Sequence, residues 1–146
     1  MAVRQSFPAL SPERFAPTPE RPLRAKSRLL EHLADIQPHR HDWAQLVFSM
    51  TGAVRVNPEA STYIVPPSRA VWIPPGIVHA VTAIEQCDLR TLYLGPAALP
   101  GEAWQVGRVL EVSPLLRELV LALPAVPDPT HPKASRTPSA AAASSA

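Results

Sequence analysis

The sequence predicts an all-β domain, a sandwich or a barrel, followed by one C-terminal helix. Three observations carry this. From Trp43 onward, short apolar runs alternate with Gly- or Pro-bearing turns about every 8 to 12 residues, the rhythm of antiparallel sandwiches and barrels. The gaps between those runs are too short for the helical crossovers that a parallel sheet requires. Near residue 113, start signals and apolar periodicity coincide as they do in a helix.

Taken in order, residues 1–22 form a proline-rich leader. Ten of the chain's 19 prolines lie in residues 1–22 and 124–146. Proline fixes φ and removes a backbone donor, so neither terminus reads as a central strand or a helix interior. The end, from Ala134, is ASRTPSAAAASSA, a low-complexity run expected to be disordered. The packed domain is thus expected over residues 23–123, between a disordered leader and a disordered Pro/Ala/Ser-rich tail over residues 124–146.

The first element of that domain is ambiguous. LRAKSRLLEHLADI, residues 23–36, places Leu29, Leu30, Leu33 and Ile36 on a helical face, and propensity favours helix. From Trp43 the pattern is firmer. WAQLVFSM reads as a strand, Thr51-Gly52 as a turn, and Val54 and Val56 as a return. Asn57-Pro58-Glu59 turns again before STYIV. After Pro66-Pro67 come AVWI, the turn Pro74-Pro75-Gly76, and two more strands in VHAVTAI and DLRTLYL. Ser113 then suits an N-cap and Pro114 the first helical turn, and Leu115, Leu116, Leu119 and Leu123 recur near one side before Pro124.

Net charge is +2, distributed unevenly. Residues 1–28 hold six basic and two acidic residues; residues 29–123 hold six basic and nine acidic. Arg4, Arg14, Arg21, Arg24, Lys26 and Arg28 read as a solvated basic arm. They show no zinc-finger or recognition-helix pattern, and the acidic balance of the rest argues against a surface that clamps a phosphate backbone. The single cysteine, Cys87, excludes an internal disulfide framework and a multi-cysteine zinc site, and reads as a semi-buried thiol. No apolar stretch reaches membrane-spanning length and no signal-peptide core is present, so a cytoplasmic location is the expectation.

The chemistry concentrates in two stretches. In HRHDWAQ, strand parity puts His39, His41, Trp43 and Gln45 on one face, with Trp43 as an apolar wall. PPGIVHA supplies His79 from a neighbouring strand. Three neutral imidazoles suit zinc, nickel, iron or cobalt, with the Gln45 amide oxygen or water completing the shell. Gln45 is the weak member because it lacks a carboxylate's charge. The same residues also suit a metal-free polar pocket whose histidines hydrogen-bond a ligand. His32 and His131 have no such spacing and read as solvent-facing.

HRHDWAQLVFSMTG followed by VPPSRAVWIPPGIVHAV resembles the cupin domain at the N terminus of AraC/XylS-type transcriptional regulators. LRTLYL and LEVSPLLRELV extend the resemblance over about residues 22–123. It implies a double-stranded β-helix, a jelly-roll barrel with a C-terminal helix, and so makes residues 23–36 largely strand. The first cupin motif supplies His39, His41, Gln45 and Gly52; the second supplies Pro74, Gly76 and His79. Gln45 stands where many metal cupins have Glu, and Ser68 where the second motif has Gly. Both departures weaken an enzymatic reading. The resemblance further implies a small-molecule effector and a homodimer, with Leu116, Leu119, Val120 and Leu123 of the helix at the dimer contact. DNA would be bound only through a helix-turn-helix domain, for which the residues after Leu123 are too few.

Arg69, Trp72 and Tyr93, with Trp43, are the further candidate ligand contacts, Arg69 for an anionic group; Trp104 borders the same set. The sequence contains no phosphate loop, nucleophile elbow or HExxH helix, and no residue is assigned a catalytic role. A regulatory sensor is the expected function. A small metal-dependent cupin oxygenase or isomerase is the alternative.

Overall fold

The computed structural model describes residues 6–7, 15–99, 101–123 and 125–127. Eleven strands are present among them: β1 Ser6–Phe7, β2 Leu23–Leu30, β3 Asp35–His39, β4 Ala44–Ser49, β5 Val54–Pro58, β6 Tyr63–Val65, β7 Arg69–Ile73, β8 His79–Ala83, β9 Cys87–Leu94, β10 Arg108–Glu111 and β11 Ala125–Pro127. The helix α1 runs from Pro114 to Ala122. One sheet has the order β1-β3-β8-β5-β6 and the other β10-β7-β4-β9-β2-β11. The two sheets face each other as a jelly-roll barrel, as the resemblance implied.

The helical reading of residues 23–36 is corrected. β2 pairs antiparallel with β9 over its full length, from Leu23 against Leu94 to Leu30 against Cys87. A turn at Glu31–Ala34 then leads into β3, with Leu33 in the left-handed region at φ 66°. Propensity differences of a few tenths of a kcal/mol per residue do not outweigh a continuous ladder and burial of alternate side chains.

Two apolar clusters explain why some strands are buried on both faces. Between the sheets lie Leu30, Ile36, Val47, Val54, Val56 and Val81, among others. On the outer face of the six-stranded sheet lie Phe48, Leu46, Trp72, Leu92 and Val120. All six residues of β4 are consequently buried, alternately toward the barrel interior and toward α1. The turn after β4 leads into the opposite sheet, so β4 and β5 are not a hairpin; β4 pairs with β7 and β9, and β5 with β6 and β8. Gly52 makes this crossing at φ 77°, where an added Cβ would lie 2.3 Å from the Gln86 carbonyl oxygen.

α1 starts as expected. The Ser113 hydroxyl accepts from the Leu116 N–H at 3.1 Å and Pro114 occupies the first turn. Arg117 ties the helix to the barrel by donating to the Met50 carbonyl at 3.2 Å.

The expected domain edges also need correction. Phe15, placed in the leader, is 1% exposed, and Ser6–Phe7 pairs with Asp35–Ile36. Past residue 123, Ala125–Pro127 pairs with Ala25–Ser27. Burial of the Phe15 ring offsets the ordering of proline-rich chain around it, which is already conformationally restricted. Residues 1–5 and 8–14 of the expected leader, and residues 124 and 128–146 of the expected tail, with His131, lie outside the described residues. His32 is exposed, as expected. Cys87 is buried more deeply than expected, at 1% exposure, and burial, helped by the neighbouring Asp88 charge, pushes its thiol up to about 12. Among the described residues no helix is long and apolar enough to cross a membrane.

Candidate functional site

The barrel interior holds a cavity of about 200 Å³ bordered by His39, His41, Trp43, Gln45, Lys26 and Tyr93, among other residues. Different elements deliver the histidines. His39 closes β3 and stands directly opposite His79, the first residue of β8. His41 lies in the crossover that carries the chain from one sheet to the other, and the Gly76 N–H holds its carbonyl at 2.8 Å. That bond joins the two histidine-bearing stretches through the positive-φ turn at Gly76. The single-strand parity expected for residues 39–45 is therefore incorrect, because a crossover separates His39 from Gln45. The outcome is nevertheless convergent: the three side chains meet.

The ring centroids of His39 and His79 are 4.3 Å apart, those of His41 and His79 5.2 Å, and those of His39 and His41 5.7 Å. One nitrogen from each falls within 4.8 Å of the others. Each Nδ1 faces a backbone carbonyl: Gln37 for His39 at 2.8 Å, Trp43 for His41 at 3.1 Å, and Ile77 for His79 at 2.8 Å. A carbonyl only accepts, so these contacts fix the Nδ1–H tautomer in the neutral rings and leave the Nε2 lone pairs available. The Nε2 atoms of His41 and His79 and the Oε1 of Gln45 are buried without a protein partner. A buried acceptor without a partner costs about 1–3 kcal/mol. This orphaned donor set fits a divalent transition ion, and the backbone carbonyls at Nδ1 orient the rings as metal-bound histidines are usually oriented.

Electrostatics point the same way. Burial lowers the pKa of His79 to about 3 and of His41 to about 4; the carbonyl bonds pull in the opposite direction and the neighbouring imidazoles and Lys26 reinforce the fall. His39 is lowered too, mainly by burial. Near neutral pH, His41 and His79 are therefore neutral, ready to donate a lone pair.

Around the triad, His41 stacks on Trp43 at 4.7 Å with a 5° interplanar angle, and Tyr93 meets both edge-on. Tyr93 is placed by pairing with Gln45 across β4 and β9. Trp43, Gln45 and Tyr93 are thus brought together with the histidines. Arg69 and Trp72 are not, and their expected ligand role in this cavity is corrected. Strand parity turns Trp72 to the outer face, where its Nε1–H donates to the Trp104 carbonyl at 2.6 Å. Arg69 is exposed and lies 3.8 Å from Glu111 on the neighbouring strand. Sequence reasoning missed Phe15, Lys26, Arg28 and Thr91, which border the cavity. Lys26 and Arg28 are 7% and 1% exposed, so the solvated arm ends before them. The available signal was their two-residue spacing, which becomes meaningful once β2 is a strand.

The expected dimer residues divide. Val120 is 3% exposed and Leu116 and Leu123 are half-buried against the outer cluster, whereas Leu119 is 56% exposed, beside the exposed Leu115 one turn earlier. Val120 therefore lies on the inner side of α1, not the outer one.

A two-sheeted jelly roll with imidazoles converging inside it has the architecture of a cupin-type barrel. The AraC-like ligand binding domain family matches residues 22–145, and the chain belongs to that family. It is 35% identical over 85 residues to the HTH-type transcriptional regulator NimR of Escherichia coli K12; the match covers 58% of this chain and 30% of NimR. Among solved structures, apo ToxT of Vibrio cholerae is similar with a TM-score of 0.56 at 11% identity, over 72% of this chain and 49% of that one. An RmlC-like cupin from Shewanella frigidimarina gives 0.48 at 17% identity, over 52% and 68% of the two chains. The chain thus spans less than a third of NimR and about half of ToxT.

Proposed function

We propose that this chain senses a small-molecule effector in the barrel cavity, within an AraC-type transcriptional regulator. The observation that supports it most directly is the buried, unsatisfied donor set of His41 and Gln45, which border a cavity walled by Trp43 and Tyr93, with His79 packed against His39 and His41 behind them. Such groups are stabilised when a ligand or ion supplies their missing partners. DNA recognition would belong to a helix-turn-helix domain, and the location would be cytoplasmic, as befits a transcription regulator. In the same reading, His39, His41 and His79 hold a divalent ion, zinc, nickel or iron, with Gln45 beside them. Such an ion would supply a positive charge to which an effector oxygen binds. A homodimer would form through the exposed side of α1 that carries Leu115 and Leu119.

The histidine triad also favours a second reading, a metal-dependent cupin enzyme. One experiment separates the two. Small organic compounds are screened for thermal stabilisation with and without nickel or zinc, and each hit is followed by mass spectrometry over hours. Hits recovered unchanged support sensing; metal-dependent conversion replaces it with the enzyme. Calorimetric titration of metal-stripped protein should give about one ion per chain. Loss of that binding in His41→Ala and His79→Ala supports the triad. Absence of binding at tens of micromolar metal in folded wild-type protein removes the metal from the proposal.

A further inference from the structure

We infer that a second site, outside the barrel, takes a small organic ammonium between the Trp104 ring and the Glu102 carboxylate. A cavity of about 400 Å³ lies between the Pro74-Pro75 turn and residues that follow β9, and it shares no lining residue with the histidine cavity. Its walls are held in place by the fold. Pro74 and Pro75 form a stiff side because their rings fix φ. Opposite them stands Trp104, half-buried, whose carbonyl accepts from the Trp72 Nε1–H at 2.6 Å and whose ring meets that of Trp72 edge-on at 5.2 Å. The Trp104 N–H donates to the Gly101 carbonyl at 3.1 Å, and Gly101 has φ 121°, a value that favours glycine. Gly107 lets the chain close onto β7, since an added Cβ would lie 3.4 Å from the Trp72 carbonyl oxygen. An aromatic ring is thus fixed beside a rigid apolar wall, as in a pre-formed ligand site.

The lining chemistry selects the class of ligand. Glu102 carries the one charge among the described lining residues, and Gln105 is the other polar side chain; Pro74, Pro75 and Leu99 are apolar. A carboxylate beside an indole favours a cation, because the ring face and the carboxylate attract the same charge. An anion would be repelled by Glu102. A hydrated metal ion would leave Leu99 and the prolines uncovered, whereas the carbon body of an amine would cover them. Trp104 already takes one cation, the Arg108 guanidinium at 5.0 Å from its ring centroid. Arg108 does not line the cavity, so the ring surface turned toward the cavity is one that Arg108 leaves uncovered. Glu102 is exposed, so its attraction is screened and the preference for a charged ligand is modest rather than absolute.

The test titrates two ammonium compounds, choline and benzylammonium, into the full chain beside their neutral counterparts, 3,3-dimethylbutanol and benzyl alcohol, and beside benzoate. Calorimetry reads affinity, and the indole N–H signals of Trp43, Trp72 and Trp104 in nuclear magnetic resonance read location. Ligands of this size bind at about millimolar concentration. At least one ammonium should bind about fivefold or more tighter than its neutral counterpart, the sum expected of one aromatic face and one exposed carboxylate. The Trp104 signal should move while that of Trp43, inside the barrel, stays. Glu102→Gln, at an exposed position, should bring the preference below about twofold with an unchanged melting temperature. Neutral compounds or benzoate binding as well as the ammoniums would overturn the inference, and so would a shift confined to Trp43. An undiminished preference in Glu102→Gln, or no binding by either ammonium at about ten times the expected concentration, would overturn it too. The comparison of charged and neutral compounds on wild-type protein decides the matter whatever the variant does.

Discussion

Metal binding at the triad should release almost no protons. An ordinary imidazole has a pKa of about 6.5, so three unperturbed histidines at pH 6.5 would each be half protonated and would release about 1.5 protons per ion. The fold changes this sum. With His41 lowered to about 4 and His79 to about 3, both are less than about 1% protonated at that pH, and His39, also lowered, contributes less than about half a proton. Titrating nickel into stripped protein in two buffers of unlike ionisation enthalpy reads the release directly as the slope of apparent enthalpy against buffer enthalpy. A slope below about 0.5 is expected. A slope near 1.5 would refute the reasoning, because it would mean that the imidazoles are solvated in the metal-free protein.

The same depression has a sign for stability. The folded chain disfavours protonating His41 and His79, so the unfolded chain binds more protons in the window between the folded and the ordinary values. The stability contribution is fully present above about pH 6.5 and is lost as pH falls toward 4 for His41 and toward 3 for His79. At pH 4, His79 alone accounts for about 3 kcal/mol of that loss. Urea unfolding of metal-free protein at pH 7 and pH 4.5 should show the loss, and His79→Gln should reduce it. Equal stability at both pH values would contradict the burial argument.

Three further predictions follow from the packing. Gly52→Ala meets both a positive φ and the Gln86 carbonyl, so it should cost at least about 2 kcal/mol, whereas Gly76→Ala, with open space around its Cβ, should cost about 1–2 kcal/mol; urea unfolding of the pair tests the ranking. Val120→Glu buries a charge beneath α1 and should lower the melting temperature sharply, while Leu119→Glu should leave it nearly unchanged and convert a dimer to a monomer in sedimentation; the reverse pattern would invert the assignment of faces. Trp72→Phe removes the donor to the Trp104 carbonyl and should cost about 1 kcal/mol by the same unfolding assay, with nickel binding unaffected because Trp72 faces away from the triad.

Most of the fold was legible because turn chemistry is local. Thr51-Gly52 and Pro74-Pro75-Gly76 each interrupt the strands where their residues predict, and Ser113-Pro114 opens α1; Asn57 and Pro58, expected in a turn, instead end β5 paired with β8, and the turn follows at Glu59. The partners of those strands were not legible. Nothing local to Gly52 says that the returning strand joins the other sheet, because that choice is made by which face of β5 must meet Val81 and Ala83 on β8. β10 was missed altogether: Arg108–Glu111 is mostly exposed and is held as a strand by its pairing with β7. A sequence pattern cannot report a ladder whose partner lies more than thirty residues away.

The candidate site shows how one misread element propagates. His39, His41 and His79 were visible because their spacing carries chemistry whether or not the intervening backbone is a continuous strand. Lys26 and Arg28 were invisible for the opposite reason. On a helix or a solvated arm they are two surface charges among several, and only the period of a strand places them on the side of β2 that also carries Leu30. Pairing of β2 with β9 brings Lys26 beside Thr91 and one step from Tyr93, which is itself registered against Gln45. The cations, the aromatic wall and the amide thus sit on three adjacent strands of one sheet, while His39 and His79 come from the other. The cavity's charge is therefore a consequence of sheet registry, and a one-residue slip of β2 would turn both cations out of it.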